Sequence, residues 1–383
     1  MNLTKHIKKC LLAAWLLTIP ALLPADSLAD EKELLRASAV VDLIEELGIR
    51  ESDVASRDLP GWTRPQKVLV RLDRADRLPA LQAVAPGVEI IPVTTSEEAV
   101  ATVDEAQVML GFCNEEILAA GQNLHWIQVF SSGVERCVGN PHMRSGNKLL
   151  TNGQKVGSPA LAEHAIALMM ALVRGLDVYH GNQLNGSWQR VAEMGSGEFM
   201  ELEGRTVLIV GLGGIGTQTA KRAHGLGMRV IATRGSRREG PDYVDYVGLA
   251  PELPELVPQA DVVINTAPLT EQTRGMFDAS FFAAMKPTAY FVSVGRGAST
   301  VTADLVAALE KGEIAGAGLD VTDPEPLPEG HPLWSTPRVI ITPHTAGRSD
   351  KSRDRLYLLV QENLRRYVAG EPMLSVVDIE RGY

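Results

Sequence analysis

Short apolar runs alternate with longer amphipathic segments from Lys67 onwards. The runs in the first part of the chain are rich in valine, isoleucine and leucine, and they read KVLVRL, VEIIPV, AQVMLGF and LHWIQVFSSG. Runs of this length and composition predict β-strands. Because helical segments separate them, the pattern is typical of a parallel α/β sheet.

A long helix and a second α/β series follow. The segment SPALAEHAIALMMALVRGLDVYHGNQ predicts one long helix that begins at Ser158. The predicted strands after it are TVLIVG, RVIAT, ADVVINTA, AYFVSVG, IAGAGLDV and RVIITPH. A last helix is expected to end at Gly370, just before Pro372. The whole pattern predicts an α/β protein with two parallel-sheet domains.

The amino terminus has a different pattern. A basic stretch over residues 1–9 precedes the apolar run CLLAAWLLTIPALL, and Ser27 and Ala29 are small residues before a cleavage point. This order predicts a signal peptide over 1–29, with an uncleaved membrane anchor or a mis-assigned start codon as alternatives. Cleavage implies an exported, periplasmic protein, and the alternatives imply a membrane-anchored or cytoplasmic one. Residues 30–61 are charged, have apolar positions at helical spacing and predict a helical leader.

Composition and charge exclude some classes of function. The 383 residues are 45% hydrophobic and 22% charged, which suits a soluble protein with two cores. A net charge of −10 argues against a broad nucleic-acid surface. Outside the leader, which contains Cys10, the cysteines Cys113 and Cys137 lack metal-ligand spacing, so no metal site is expected. They are either buried apolar side chains or, in an exported protein, a disulfide.

A glycine-rich turn follows the first strand of the second series. Gly211, Gly213 and Gly216 have G-x-G-x-x-G spacing between the predicted strand Thr206–Val210 and a predicted helix over roughly 215–226. The first glycine permits the tight turn, the second lets backbone approach a pyrophosphate, and the third packs helix on strand. Free N–H groups at the helix start attract phosphate. The motif predicts dinucleotide binding, the alternative being a tight turn without a ligand.

The next strand ends in a basic turn. About 20 residues after the glycines, an NAD enzyme places a carboxylate that binds the ribose hydroxyls. This chain has Thr233, Arg234, Ser236 and Arg237 there instead. Guanidinium and hydroxyl groups suit a 2′-phosphate, which a carboxylate would repel. The turn therefore predicts NADP(H) as the preferred cofactor and NAD(H) as the second choice, with a solvated basic turn as the other interpretation.

Three later segments each end a predicted strand in polar residues. FVSVGRGAST, GLDVTDPEPL and VIITPHTAGRS place Arg296, Glu325 and His344 at strand ends, where open α/β sheets bind ligands. Hydride transfer to a 2-oxo acid needs a cation for the carboxylate and a proton donor for the carbonyl oxygen. A carboxylate beside a histidine stabilises its charged, proton-donating form. Each residue alone also suits a surface loop, but together they predict a catalytic set.

These motifs resemble one family. GLGGIG, NTAPLTEQTRGMF, VSVGRGAS, GLDVTDPEPLPEGHPLW and ITPHTAG stand in the order and spacing of the D-isomer-specific 2-hydroxyacid dehydrogenases, over most of residues 65–370. The resemblance implies that Arg296, Glu325 and His344 form an Arg–Glu–His catalytic set. It also implies a substrate-carboxylate site, made by Arg296 and by backbone N–H groups in SSGVERC at Ser132, Gly133 and Val134.

The resemblance implies further cofactor contacts. Thr266 and Pro268 would lie near the ribose and the nicotinamide, and Asp320 near the nicotinamide carboxamide unless it is a structural loop carboxylate. The remaining cofactor residues implied are Gly214, Ile215, Gly295 and Ala346. The arginine-bearing turn resembles that of glyoxylate and hydroxypyruvate reductases that prefer NADPH.

The resemblance also implies a domain order. Residues 62–152 with 346–383 would form the substrate domain and 153–345 the NAD(P)-binding Rossmann domain, with the active site in the cleft between them and a homodimer as the usual assembly. The chain departs from the family at SGVE, where AGVD is common, and at Ser293 and Gly295, where Asn and Ala are frequent. Two alternatives therefore stay open: a 3-phosphoglycerate- or phosphonate-type dehydrogenase, and a nucleotide-sensing protein of the corepressor type.

Overall fold

The computed structural model describes residues 25–144, 148–190 and 199–381, with side chains from residue 33 onwards. Most of the predicted signal peptide, residues 1–24, lies outside the described residues. The chain divides after Glu45 into two compact units. In the described part of the chain, no helix has both the length and the apolarity needed to cross a membrane.

The predicted helical leader is only partly helical. Helix α1 spans Ala25–Leu47 and is followed by Gly48 with a φ of 59°, a left-handed conformation that ends helices and suits glycine. Strand β1, Glu51–Ala55, then pairs antiparallel with strand β14, Pro372–Leu374. The helical prediction thus holds as far as Leu47 and is wrong for Glu51–Ala55, because the strand there pairs with a strand that lies far along the chain.

Five parallel strands form the first sheet in the order β3-β2-β4-β5-β6. They are β2 Lys67–Arg71, β3 Glu89–Val93, β4 Val108–Leu110, β5 Trp126–Gln128 and β6 Leu149–Thr151. The order follows the flavodoxin-like arrangement of doubly wound sheets. Four of the strands match the predicted apolar runs, whereas β6 is only three residues long and was not predicted.

Helices cover both faces of the first sheet. Those between its strands are α2 Leu78–Val84, α3 Ser96–Thr102, α4 Glu115–Ala120, α5 Glu135–Val138 and α6 Pro141–Arg144. The long carboxyl-terminal helix α13, Ser352–Ala369, ends at Gly370 as predicted and packs on this sheet. Its Tyr367 ring lies against Trp126 of β5, with the ring centroids 4.9 Å apart.

Cys113 and Cys137 form a disulfide with a Cα–Cα distance of 5.6 Å. Of the two alternatives open from the sequence, the structure therefore has the bonded one. Cys137 belongs to α5 and Cys113 follows β4, so the bond attaches this short helix to the neighbouring strand connection.

Seven parallel strands form the second sheet in the order β13-β12-β11-β10-β7-β8-β9. They are β7 Thr206–Val210, β8 Arg229–Arg234, β9 Tyr246–Leu249, β10 Val262–Asn265, β11 Tyr290–Ser293, β12 Gly316–Leu319 and β13 Val339–Ile341. Only β9 had not been predicted. The strand order reverses between β7 and β10, which is where such sheets bind nucleotides. The two parallel sheets, each with its own helices, confirm the predicted α/β fold class.

The helix predicted from Ser158 is two helices. Helix α7, Ser158–Val173, and helix α8, Leu176–Leu184, are separated at Gly175, whose φ is 64°. The single long helix was a wrong prediction, because a left-handed residue cannot continue an α-helix. Leu168 and Leu172 of α7 pack into the second sheet's core. The other helices on this sheet are α9 Gly214–Gly225, α10 Leu253–Leu256, α11 Ala279–Ala284 and α12 Thr302–Glu310.

The chain passes between the two sheets twice. The first connection joins β6 to α7 and the second joins β13 to α13. The two connections touch, since a side-chain carbon on Gly157 would lie 3.5 Å from the carbonyl oxygen of Gly347. We propose that the predicted domains, 62–152 with 346–383 and 153–345, meet in these connections.

Candidate active site

The glycine loop has the geometry that its spacing predicts. Gly211 has a φ of 99°, which only glycine adopts readily. A carbon added at Gly216 would lie 2.3 Å from the Gly211 carbonyl oxygen, so helix α9 can pack this closely only with glycine there. Gly213 precedes α9 and no side chain caps the helix. The N–H groups of its first turn therefore have no side-chain cap and can bind phosphate oxygens.

The neighbouring strand completes one side of this crevice. Thr266 follows β10 and is buried, and its hydroxyl donates a hydrogen bond of 2.7 Å to the Gly211 carbonyl. Thr233, at the end of β8, is also buried, and its carbonyl accepts hydrogen bonds from the N–H groups of Gly211 and Leu212. The glycine loop is thus held from both neighbouring strands at the point where the strand order reverses.

The arginines of the basic turn after β8 differ in their hydrogen bonds to the rest of the protein. Arg238 donates to Glu252 at 3.0 Å and to the Tyr246 hydroxyl at 3.3 Å. The hydrogen bond from Arg238, followed by those from the Tyr246 hydroxyl and the Leu249 N–H, lowers the pKa of Glu252 to about 2. By contrast, the Nε of Arg234 is buried without a hydrogen-bond partner among the described residues. An anionic ligand would satisfy this donor, which fits the predicted 2′-phosphate. Ser236 and Arg237 are exposed beside it.

Lys155 adds a cation that sequence reasoning missed. Its ammonium donates to the carbonyl of Gly48, and its side chain lies against the start of α9, where a carbon on Gly214 would be 2.8 Å from the Lys155 Cγ. Burial, followed by repulsion from Arg50, Arg237 and Arg234, lowers the pKa of Lys155. The positive groups therefore repel one another, and a bound anion would offset this repulsion. No local motif marks Lys155, and helices α7 and α8 and strand β7 separate it from the glycine loop in the sequence.

Arg296, Glu325 and His344 follow three adjacent strands. Arg296 comes after β11, Glu325 after β12 and His344 after β13. The Nδ1 of His344 lies 2.7 Å from Oε1 of Glu325, and both side chains are more than two-fifths exposed. His344 has a φ of 52°, an uncommon conformation outside glycine that is found at functional sites. The structure thus brings together the histidine and the carboxylate that the sequence predicted as a pair.

Asp320 holds the loop that carries His344. It is 1% exposed, and its carboxylate accepts hydrogen bonds from the Thr342 hydroxyl at 2.6 Å and from the N–H groups of Thr345 and Ala346 at 3.0 Å each. The Asp320 carbonyl also accepts from the N–H of His344 at 2.8 Å. Both carboxylate oxygens are therefore engaged by the loop itself, which is the structural alternative noted for this residue.

Asp320→Asn is expected to destabilise the protein by roughly 3 kcal/mol. The amide retains one acceptor oxygen, but its NH₂ group would face a backbone N–H of the loop. Chemical unfolding followed by circular dichroism measures the change. Asp350→Asn is the matched control, since Asp350 is exposed and surface changes stay within about 0.5 kcal/mol. Equal unfolding midpoints for the two variants would contradict this role of Asp320.

The predicted substrate loop follows β5. No group among the described residues accepts the backbone N–H of Ser132, Gly133 or Val134. The loop is braced from behind, because the Asn152 amide donates to the Ser132 carbonyl at 2.8 Å and the Ser132 hydroxyl donates to the Gly153 carbonyl at 3.2 Å. Three N–H donors on a braced loop suit a carboxylate ligand.

Arg296 contacts this loop from the other sheet. Its Nη1 donates to the Gly295 carbonyl at 2.8 Å and its Nε to Glu135 at 2.9 Å. Of the other predicted residues, Pro268 is exposed, Ile215 half-buried and Ala346 buried. Across the described residues, no three His, Cys, Asp or Glu side chains are grouped as ligands of a metal.

Comparison with known proteins identifies related chains. Residues 166–346 match the family model of the D-isomer specific 2-hydroxyacid dehydrogenase NAD-binding domain. A glyoxylate reductase/hydroxypyruvate reductase of Homo sapiens is 34% identical over 266 residues, which are 67% of this chain and 78% of that protein.

Solved structures agree in fold. A D-isomer specific 2-hydroxyacid dehydrogenase family protein from Aeromonas salmonicida subsp. salmonicida A449 superposes with a TM-score of 0.71 at 31% identity, covering 83% of this chain and all of that one. The D-isomer specific 2-hydroxyacid dehydrogenase from Xanthobacter autotrophicus Py2, in complex with NADPH and MES, has the same TM-score at 26% identity, covering 84% of this chain and all of that one.

Proposed function

The chain belongs to the D-isomer-specific 2-hydroxyacid dehydrogenases, which are NAD(P)-dependent oxidoreductases, and we propose that it reduces a small 2-oxo acid with NADPH. The proposed substrates are glyoxylate and hydroxypyruvate, the products being the corresponding 2-hydroxy acids. The observation that carries this proposal is the convergence of Arg296, Glu325 and His344 at the ends of three adjacent strands.

The substrate carboxylate has two sets of binding groups. The N–H groups of Ser132, Gly133 and Val134 have no acceptor among the described residues, and the guanidinium of Arg296 lies against the same loop. Guanidinium groups bind carboxylates with two parallel N–H donors and stay charged at all relevant pH values. This pairing would hold the carboxylate in the cleft and would leave the adjacent carbonyl beside the proposed catalytic residues.

His344 is the proton donor of the proposed reaction. Its Nδ1 is engaged by Glu325 at 2.7 Å, so Nε2 is the ring nitrogen that can give a proton to the substrate oxygen. Glu325 keeps the ring oriented through this hydrogen bond. Asp320 holds the loop beneath, through the N–H groups that follow His344.

The residues at the switch point fit NADP(H). The glycine loop and the uncapped start of α9 would hold the pyrophosphate, and Arg234 with Ser236, Arg237 and Lys155 would hold the 2′-phosphate. When bound, the nicotinamide cofactor supplies the hydride. The complex of the Xanthobacter relative with NADPH supports the same preference here.

Steady-state assays with NADPH and NADH on glyoxylate, hydroxypyruvate and pyruvate test the proposal. We expect turnover of glyoxylate or hydroxypyruvate with NADPH, and a kcat/KM that is at least about tenfold lower with NADH, because Arg234 would lack its phosphate partner. Absence of turnover on every 2-oxo acid, with NADPH binding intact, would instead favour a nucleotide-sensing role. Preference for 3-phosphohydroxypyruvate would favour a phosphoglycerate-type enzyme.

We also propose the homodimer and the export that the sequence predicts. Sedimentation of the purified protein measures the first. Amino-terminal sequencing of protein from separated cell fractions shows whether residues 1–29 are removed.

A further inference from the structure

Glu135 contacts the arginine of the proposed catalytic set from the opposite sheet. It is the first residue of α5, directly after the substrate loop, and its Oε1 accepts a hydrogen bond of 2.9 Å from the Nε of Arg296. The Nη1 of Arg296 donates to the Gly295 carbonyl at 2.8 Å. Protein acceptors thus hold two nitrogens of the guanidinium, Nε and Nη1. The remaining nitrogen is Nη2.

The third nitrogen lies against the substrate loop. A carbon added at Gly133 would be 2.3 Å from the Nη2 of Arg296 and 2.6 Å from the other carboxylate oxygen of Glu135. The Nη2 of Arg296 therefore lies beside the loop whose N–H groups have no acceptor in the described part of the chain. This is the place of the substrate carboxylate in the proposed function.

We propose that Glu135 is a positioning residue that orients Arg296 for the substrate carboxylate; the proposal rests on the reductase function proposed above. An arginine side chain has many rotamers, and its free motion must be lost when it binds a carboxylate. A hydrogen bond to Nε removes much of this motion beforehand and leaves Nη2 directed at the loop. Binding groups that are oriented beforehand raise the rate, because they hold the reacting atoms in the geometry that the reaction requires.

The negative charge of Glu135 repels an anionic substrate, whereas its hydrogen bond orients Arg296 for that substrate. The exposure of the two side chains decides which of these effects is larger. A carboxylate near an anionic substrate repels it, but Arg296 and Glu135 are 29% and 42% exposed, so water and salt screen that repulsion. The orientation of Arg296 is not screened in this way. Helix α5 itself is fixed by the disulfide at Cys137 and by the buried Val138, which keeps Glu135 in place.

Glu135→Ala and Glu135→Gln separate orientation from charge. We expect Glu135→Ala to lower kcat/KM for the 2-oxo acid about 10- to 100-fold, with NADPH affinity unchanged. Glu135→Gln should restore most of this loss, because its amide oxygen still accepts from Nε. Binding of oxamate, a glyoxylate analogue that accepts no hydride, to the NADPH complex should weaken in parallel in Glu135→Ala, as calorimetry measures.

Two comparisons make the test decisive. Glu271→Ala is the matched control, since Glu271 is exposed and lines the same 780 Å³ cavity as Glu135. In an Arg296→Lys background, Glu135→Ala should cause little further loss, because it acts through Arg296. An unaltered Glu135→Ala enzyme, or an equal loss in the Arg296→Lys background, would overturn the proposal. A wild-type protein without turnover would overturn the proposed function, while oxamate affinity would still decide the role of Glu135.

Discussion

His344→Asn is expected to lower kcat for 2-oxo acid reduction about 10²- to 10⁴-fold, the usual contribution of a general acid. Asparagine cannot give a proton at neutral pH, whereas His344, with its Nδ1 held by Glu325, can give one from Nε2. Asparagine also tolerates the left-handed backbone that His344 adopts, so the loop should keep its conformation. The loss should therefore fall on kcat.

The measurement is the rate of NADPH oxidation, with the unfolding midpoint and the NADPH affinity as checks on folding and binding. His224→Asn is a suitable control, because His224 is exposed in the last turn of α9. A His344→Asn enzyme with near wild-type kcat would show that another group supplies the proton. Loss of NADPH binding in the same variant would show that the histidine acts through the fold of the site.

Arg234→Asp is expected to reduce the preference for NADPH over NADH by about 10²-fold or more. The Nε of Arg234 is buried without a partner, so a 2′-phosphate is the acceptor that satisfies it, and an aspartate would repel that phosphate. An aspartate at this strand end also suits the free ribose hydroxyls of NADH. Activity with NADH should therefore be retained or rise.

The ratio of kcat/KM values for the two cofactors measures this effect. Arg238→Asp introduces the same charge change four residues further on, at an arginine already engaged by Glu252 and Tyr246. We expect its ratio to change far less. If both variants lose the preference for NADPH equally, the turn acts through its overall electrostatic field. A direct contact between the 2′-phosphate and Arg234 is then excluded.

Local chemistry made the nucleotide loop and the catalytic set predictable. Gly211 and Gly216 are required by a turn and a close contact within a few residues of each other, so their spacing carries the information. Strands that are wholly buried are continuous apolar runs, which is why β7 and β10 could be predicted from their residues. The family resemblance then assigned roles to Arg296, Glu325 and His344.

The parts that could not be predicted depend on distant partners. Glu135 and Arg296 are 161 residues apart in the sequence, and the residues next to them in the sequence give no sign of the contact. The pKa of Lys155 is lowered by burial and then by repulsion from Arg50, which precedes β1, and from Arg237 and Arg234 in the basic turn after β8, two segments far from it in the sequence. The disulfide likewise required the Cα atoms of two cysteines to lie 5.6 Å apart, a distance that no spacing encodes.

The return of α13 to the first sheet affects the order in which the protein can fold as it is synthesised. Val68, Val70 and Trp126 of that sheet share one hydrophobic cluster with Tyr367 of α13, a helix that follows the second sheet in the chain. The first sheet therefore lacks this cover until the ribosome has completed the entire second sheet. The second sheet has its strands and the helices α7 and α9 to α12 within one continuous stretch, so it can fold as soon as that stretch emerges. The first sheet, though its strands are made before those of the second sheet, is completed after it.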